Sequence, residues 1–225
     1  ARADGIIAVS AGLKDALVEL GAAPEKVAVL RNGVDLDTFR PADRDAVRAE
    51  LGLGSAPTLL SVGHLIERKG HHLVIEALPL LPDHVLLVAG EGPERRSLLA
   101  QAERLGVAAR VRLLGAQAQA RLPRLYTAAD ALVLASSREG WANVLLEAMA
   151  CGTPVVASPA WGSREAVRAP AAGLVLGEAT PAAIAAGVRR LLAAPPDRAA
   201  TRAYAEGFGW DETTAGQIEV FGRVL

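Results

Sequence analysis

Short, wholly apolar runs and helix-spaced apolar positions alternate along this chain almost from end to end. The strand-like runs are Ile6–Val9, Val27–Leu30, Thr58–Val62, Val85–Ala89, Val111–Leu114, Ala131–Leu134, Pro154–Ala157 and Gly173–Leu176. They are apolar at consecutive positions and bounded by Gly or Pro, the pattern of strands buried on both faces of a parallel sheet. Helical spacing fills the gaps over 11–21, 43–51, 71–79, 93–105, 121–129, 143–151, 162–168 and 181–194. The alternation predicts an α/β fold, a Rossmann-like parallel sheet with helices on both faces and right-handed crossovers. Thr180-Pro181 reads as an N-cap with proline at the first helical position, and Pro195-Pro196 ends that helix. From Trp210 to Leu225, Ile218, Phe221, Val224 and Leu225 recur at helical spacing, so this face has to pack against something.

The alternation breaks once, between Arg31 and Pro41, where Asn32-Gly33 and Asp35 signal turns. A domain boundary is expected there. Residues 1–30 hold one helix between two short strands, too little to fold alone. The body from about 43 to 200 holds six strand–helix units, enough for a complete Rossmann-like domain.

Composition narrows the class without changing this picture. The 225 residues are 51% hydrophobic with a formal net charge of -1, as in a globular protein with a sizeable core. No basic excess points to nucleic acid, and no apolar run approaches the ~20 residues of a membrane-spanning helix. Cys151 is the single cysteine, so no internal disulfide is possible. The chain starts Ala1-Arg2-Ala3-Asp4, has Met149 as its single methionine and carries no signal-peptide pattern, which reads as a cut inside a longer protein. An Arg- and Ala-heavy, bacterial-like composition leaves only Lys14, Lys26 and Lys69 as lysines, so a lysine in a glycine-flanked loop stands out.

In an open parallel sheet ligands collect at the carboxyl ends of strands, and three loops there carry candidate chemistry. The first, Gly63 to Gly70, offers His64, Arg68 and Lys69 to a diphosphate; a solvated basic turn would have the same composition. The second, Gly90-Glu91-Gly92-Pro93, is neither a P-loop nor a dinucleotide fingerprint, and Pro93 suits the first position of the next helix. The third, Glu139 to Asn143, leads straight into helix 143–151, whose free amides and positive dipole end suit an anion. Glu139 lies in that loop. Glu147 lies one turn inside the helix, where a carboxylate can accept two hydrogen bonds from a ribose diol. Two surface glutamates would share this spacing, so the surrounding run is the more specific signal. His71-His72 has no acidic or cysteine partner and reads as a helix start on the surface, not a metal site.

That run, Ser137-Arg138-Glu139-Gly140, Asn143-Val144 and Glu147 through Ala157, resembles the Glu-x7-Glu signature of the retaining GT-B glycosyltransferases of the group 1 family, family 4. Ile7 to Ser10, Asn32 to Asp35 with Phe39 and Pro41, Val62-Gly63 with Lys69-Gly70, and Gly90 to Pro93 follow in the family's order. The resemblance implies the C-terminal half of a GT-B fold. Residues 1–30 would be the tail of the N-terminal acceptor domain, 31–42 the linker, 43–209 the donor-binding domain, and 210–225 a helix packing back toward the N-terminal domain.

By position, the resemblance assigns Glu139 to the hydroxyls of the transferred sugar and Glu147 to the ribose. The amides of Gly140, Trp141, Ala142, Asn143 and Val144 fall on sugar and distal phosphate, Lys69 on the departing diphosphate, and Leu114 and Gly115 on the base. It implies a nucleotide-sugar donor, no cofactor and no metal, and an unknown acceptor (glycan, lipid-linked or small molecule). It also implies a cytoplasmic enzyme, with peripheral membrane association left open for the full-length protein. His64 stands where the family usually has arginine, and a histidine is charged only near or below a reference pKa of ~6.5. Ala142 stands where glycine is common. A nucleotide-sugar-binding module without transfer, and a GT-B relative such as an epimerase, are the alternatives; the intact glutamates and Lys69 favour the transferase.

Overall fold

The structure, a computed structural model, describes residues 3–224; Ala1, Arg2, Leu225 and the side chain of Val224 lie outside that description. A small unit comes first: β1 (Ile6–Ala8), α1 (Ala11–Glu19) and β2 (Val27–Val29), the two strands paired in parallel. After an irregular segment the main unit runs α2 (Arg44–Glu50), β3 (Thr58–Val62), α3 (His71–Ala77), β4 (Val85–Ala89), α4 (Arg95–Arg104), β5 (Val111–Gly115), α5 (Leu122–Ala128), β6 (Ala131–Leu134), α6 (Asn143–Ala150), β7 (Val155–Ala157), α7 (Trp161–Ala166), β8 (Gly173–Val175), α8 (Pro181–Ala193) and α9 (Arg198–Ala205). The chain then enters α10 (Asp211–Val224).

The main sheet is six-stranded in the order β5-β4-β3-β6-β7-β8, every pair parallel. This is the doubly wound arrangement, and its order reverses between β3 and β6. Consecutive apolar residues are needed because both faces are covered. Leu60, Val62, Leu87, Leu132, Leu134 and Val155 pack into one core with residues of α2, α5, α6 and α9. Leu59, Leu86, Val88, Val133 and Val156 enter a second core with α3, α4 and α8. Each strand thus feeds two cores by alternation, at roughly 1.5–3 kcal/mol for each large side chain buried.

Each expected strand is present, with ends shifted by no more than one residue. Two helical expectations change. Helix α4 starts at Arg95, so Pro93 stands in the turn before it. The reason is that Leu65 N donates to Glu91 O at 2.8 Å and Glu94 N to Leu65 O at 3.0 Å, which holds residues 91–94 on the neighbouring loop. Helix α9 had no predicted counterpart. It is capped by Asp197, whose Oδ2 accepts from Ala200 N at 3.0 Å, and its buried positions are Thr201 and Ala205. Its inward-facing Arg198 and Arg202 bind backbone carbonyls, so the side that meets the core is marked by arginines and small residues and not by an apolar stripe.

The small unit is fastened to the main one through Glu165. Its Oε1 accepts from Ala11 N at 2.8 Å and Gly12 N at 3.3 Å, and its Oε2 accepts from Arg31 Nε at 2.9 Å. Helix α10 returns to this unit, where Thr213 Oγ1 donates to Arg31 O and Gly216 sits against Leu30. Ile218 and Phe221 stay exposed at 68% and 55%, so this apolar face is not covered by the described residues. No described helix is long and apolar enough to cross a membrane.

Candidate active site

Because β3 lies between β4 and β6, the loops after these three strands meet at the carboxyl edge of the sheet, at the switch point. The loop after β3 winds through a short 3₁₀ turn, Glu67–Lys69, and ends at Gly70 with φ +70°. A β-carbon at Gly70 would lie 2.1 Å from Ala135 O, so only glycine lets this loop close on the end of β6. Ser137 N then donates to Arg68 O at 2.9 Å, and Arg68 Nη1 to Arg138 O at 2.9 Å. These contacts bring Lys69 to Glu139. Lys69 Nζ is 2.5 Å from Glu139 Oε1, the carboxylate buried and the lysine partly open to solvent.

Beyond Glu139 the chain crosses Gly140 and Trp141 into α6. The Trp141 indole is buried, donates to Asn32 O at 3.0 Å and packs beside Phe208, so this residue leaves only its backbone for a ligand. Ala142 occupies the N-cap with extended dihedrals and no side-chain cap, leaving the first amides of α6 without a side-chain acceptor. Asn143 is exposed and its Oδ1 accepts from Asn32 Nδ2 at 3.3 Å; Val144 is half-buried. A side chain at Gly140 would meet Val9 at 3.4 Å, so the small unit roofs this stretch.

Glu147 sits one turn inside α6, and its Oε2 accepts from the hydroxyl of Tyr126 at 2.7 Å. One of the two oxygens expected to face a ribose is therefore already engaged. Burial raises the Glu147 carboxyl above the usual carboxylate range, and the phenol hydrogen bond partly opposes this. Burial together with the adjacent carboxylate pushes Tyr126 well up, so it remains a neutral donor.

His64 is exposed and lines an open cleft of 340 Å³ together with Gly63, Gly90, Glu91, Ala116 and Gln117. Leu114 and Gly115 directly precede its Ala116 in the chain but are not among the residues that line it. Their carbonyls are partly engaged already: Leu114 O accepts from Gln117 Nε2 at 2.7 Å and Gly115 O from Gly90 N at 2.8 Å. Arg68 is exposed, with one guanidinium nitrogen committed to the Arg138 carbonyl.

His71 corrects the expectation of a surface helix start. It is 2% exposed, and its Nδ1 lies 2.9 Å from Ser61 Oγ. Helix α3 begins directly beneath the loop after β3, so its first residue faces the sheet. Burial pushes the imidazole down to about 4, and it stays neutral. Among the described residues no group of three or more His, Cys, Asp or Glu side chains is placed to hold a metal ion.

Sequence reasoning missed Tyr126, the linker contacts of Asn32 and the Glu165 fastening. Tyr126 reads locally as one more aromatic on the buried face of α5, and only the packing of α5 on α6 reveals its partner.

A six-stranded parallel sheet with charged loops gathered at its switch point is a Rossmann-like architecture, in which ligands bind at those loops. The profile of the group 1 glycosyltransferases matches residues 43–208, and that of glycosyltransferase family 4 matches residues 1–38. The chain belongs to the group 1 glycosyltransferases. It is 38% identical over 215 residues to a D-inositol 3-phosphate glycosyltransferase of Segniliparus rotundus, covering 90% of this chain and 48% of that protein. A namesake from Catenulispora acidiphila is 36% identical over 244 residues, covering 100% of this chain and 58% of its own length. The chain thus spans about half the length of the curated relatives it matches. Among solved structures, HepE of Anabaena with UDP and glucose superposes with a TM-score of 0.90 at 26% identity, over 98% of this chain and 64% of that one. Sucrose-phosphate synthase of Thermosynechococcus elongatus superposes at 0.88 and 26% identity, over 99% and 59%.

Proposed function

We propose that this chain is the donor-binding part of a retaining glycosyltransferase that moves a sugar from a nucleoside diphosphate to an acceptor hydroxyl. The observation that carries the reading is the ion pair of Lys69 with Glu139, beside the uncapped start of α6. A lysine and a helix N-terminus offer fixed positive charge to a diphosphate, and a carboxylate beside them offers acceptors to sugar hydroxyls. Glu147 accepts from the ribose, and His64 and Arg68 add charge at the outer phosphate. The backbone around Leu114 to Gln117 receives the base.

In this reading the acceptor oxygen bonds to the anomeric carbon on the face the diphosphate leaves. The anomeric carbon–oxygen bond breaks, and the acceptor proton passes to the departing diphosphate. Catalysis then rests on positioning and on leaving-group stabilisation by Lys69 and the α6 amides, with no metal and no covalent enzyme intermediate required. Uridine is the first base to try, because HepE was solved with UDP. The acceptor stays open, since residues that select it belong to the facing half of a GT-B cleft. For the same reason this chain alone is expected to bind donor and to transfer little.

Calorimetric titration with UDP tests the reading. Lys69→Ala is expected to weaken binding at least tenfold; binding equal to that of the unmodified chain would remove the basis of the proposal.

A further inference from the structure

We propose that Tyr126 is a positioning residue that aims the Glu147 carboxylate at the ribose of the donor, making α5 part of the sugar-reading apparatus. The inference rests on the functional reading above. Tyr126 is fully buried, and the acceptor its hydroxyl reaches is Glu147 Oε2, at 2.7 Å. No arginine or lysine pairs with Glu147 among the described residues, so the phenol is the one described hydrogen-bond partner holding this side chain. Glu147 Oε1 makes no protein hydrogen bond there, yet it is not one of the buried unpaired atoms and so stays in contact with solvent.

The ring is itself immobilised. Phe39 meets it edge-on at 6.2 Å between centroids, and Thr153 Oγ1 donates to Tyr126 O at 2.6 Å. A carboxylate with one oxygen pinned by a rigid neutral donor has its other oxygen pre-aimed. An acceptor fixed in this way discriminates strongly between a ligand that offers a hydroxyl and one that lacks it. A free glutamate on a helix surface would instead spread over its rotamers and lose that selectivity on ordering.

The test compares ribose with its deoxygenated form. UDP, GDP and ADP are titrated into the 225-residue chain, and the tightest is set against its 2′,3′-dideoxy counterpart. The unmodified chain is expected to prefer the ribonucleotide by about tenfold or more. Tyr126→Phe keeps the ring and its packing on Phe39. It is expected to lower ribonucleotide affinity about tenfold, to leave dideoxynucleotide affinity unchanged, and so to abolish the preference as Glu147→Ala does. If Tyr126→Phe weakens both ligands equally, or neither, the phenol is only a core hydrogen bond and the proposal fails while the ribose assignment stands. If Glu147→Ala keeps the preference, the ribose assignment fails, and the positioning role with it. Binding of none of the three diphosphates overturns the functional reading itself.

Discussion

Lys69 and Glu139 hold one another, and that contact sets opposite expectations for the two side chains. Lys69→Met leaves a buried carboxylate unpaired and is expected to lower stability by about 1–3 kcal/mol as well as weaken UDP binding. Glu139→Gln releases the lysine; UDP itself is then expected to bind no worse, while the added affinity of a UDP-sugar over UDP is lost. Parallel calorimetry with the two ligands checks this. Acidity acts on Glu147, whose pKa burial has raised. Only the ionised group offers the remaining oxygen, Oε1, purely as an acceptor to ribose hydroxyls, so donor affinity falls as pH drops through that raised value. For folding the sign is reversed. A carboxyl raised in the native state contributes stability present below its unfolded pKa and lost as pH rises through the native one, so Glu147→Gln is expected to stabilise the chain near pH 7. At position 64 an arginine would add a fixed charge and a bidentate grip on phosphate, so His64→Arg is expected to tighten UDP binding in calorimetric titration. Equal affinities of the two proteins would dismiss position 64 as a phosphate contact.

The elements decide how these side chains meet. Gly70 ends the loop after β3 with a left-handed φ and no room for a β-carbon beside Ala135 O. Gly70→Ala is expected to cost about 2–4 kcal/mol, combining left-handed strain with displacement of the loop, and to weaken UDP binding because Lys69 moves with it. Gly52→Ala is the control, since Gly52 has φ +59° and nothing within 4 Å of an added β-carbon. It should show the strain of about 1–2 kcal/mol alone and leave UDP affinity intact. Thermal unfolding and titration of both variants separate the two contributions. At this scale the sequence was legible where hydrophobic burial drives the element. Strands β3, β4 and β6 fall at their predicted bounds because unbroken apolar runs have nowhere else to go than a sheet covered on both sides. Helix α9 was not legible, because its inward arginines satisfy carbonyls in place of packing apolar surface. Pro93 was misplaced because the end of its turn is set by hydrogen bonds to Leu65, in another loop.

Across the whole molecule, the proposed donor site draws on both units. Gly140 lies beneath Val9, the Asn32 carbonyl anchors Trp141, and Glu165 holds α1 and Arg31 in one carboxylate. Glu165→Ala is expected to leave the Ala11 and Gly12 amides without their acceptor, the Ser10 cap of α1 staying in place, and to destabilise the small unit by about 1–2 kcal/mol. Amide exchange should accelerate in residues 11–19 well beyond any change in β3, β4 or β6. A uniform acceleration, or none, would show that the fastening carries no local stability. Ile218 and Phe221 of α10 stay exposed among the described residues.

The sequence by itself determined the alternation of elements, the order of the loops and the run from Glu139 to Ala157, because period and turn chemistry act between near neighbours in the chain. It carried the family resemblance for the same reason. The tertiary structure alone decided which strands are adjacent. Placing β6 beside β3 brings Lys69 to Glu139 across seventy positions, packs α5 on α6 so that Tyr126 meets Glu147, and turns Glu165 toward the first helix. Those pairings depend on how two cores fill on either side of one sheet, and no local pattern of residues records that.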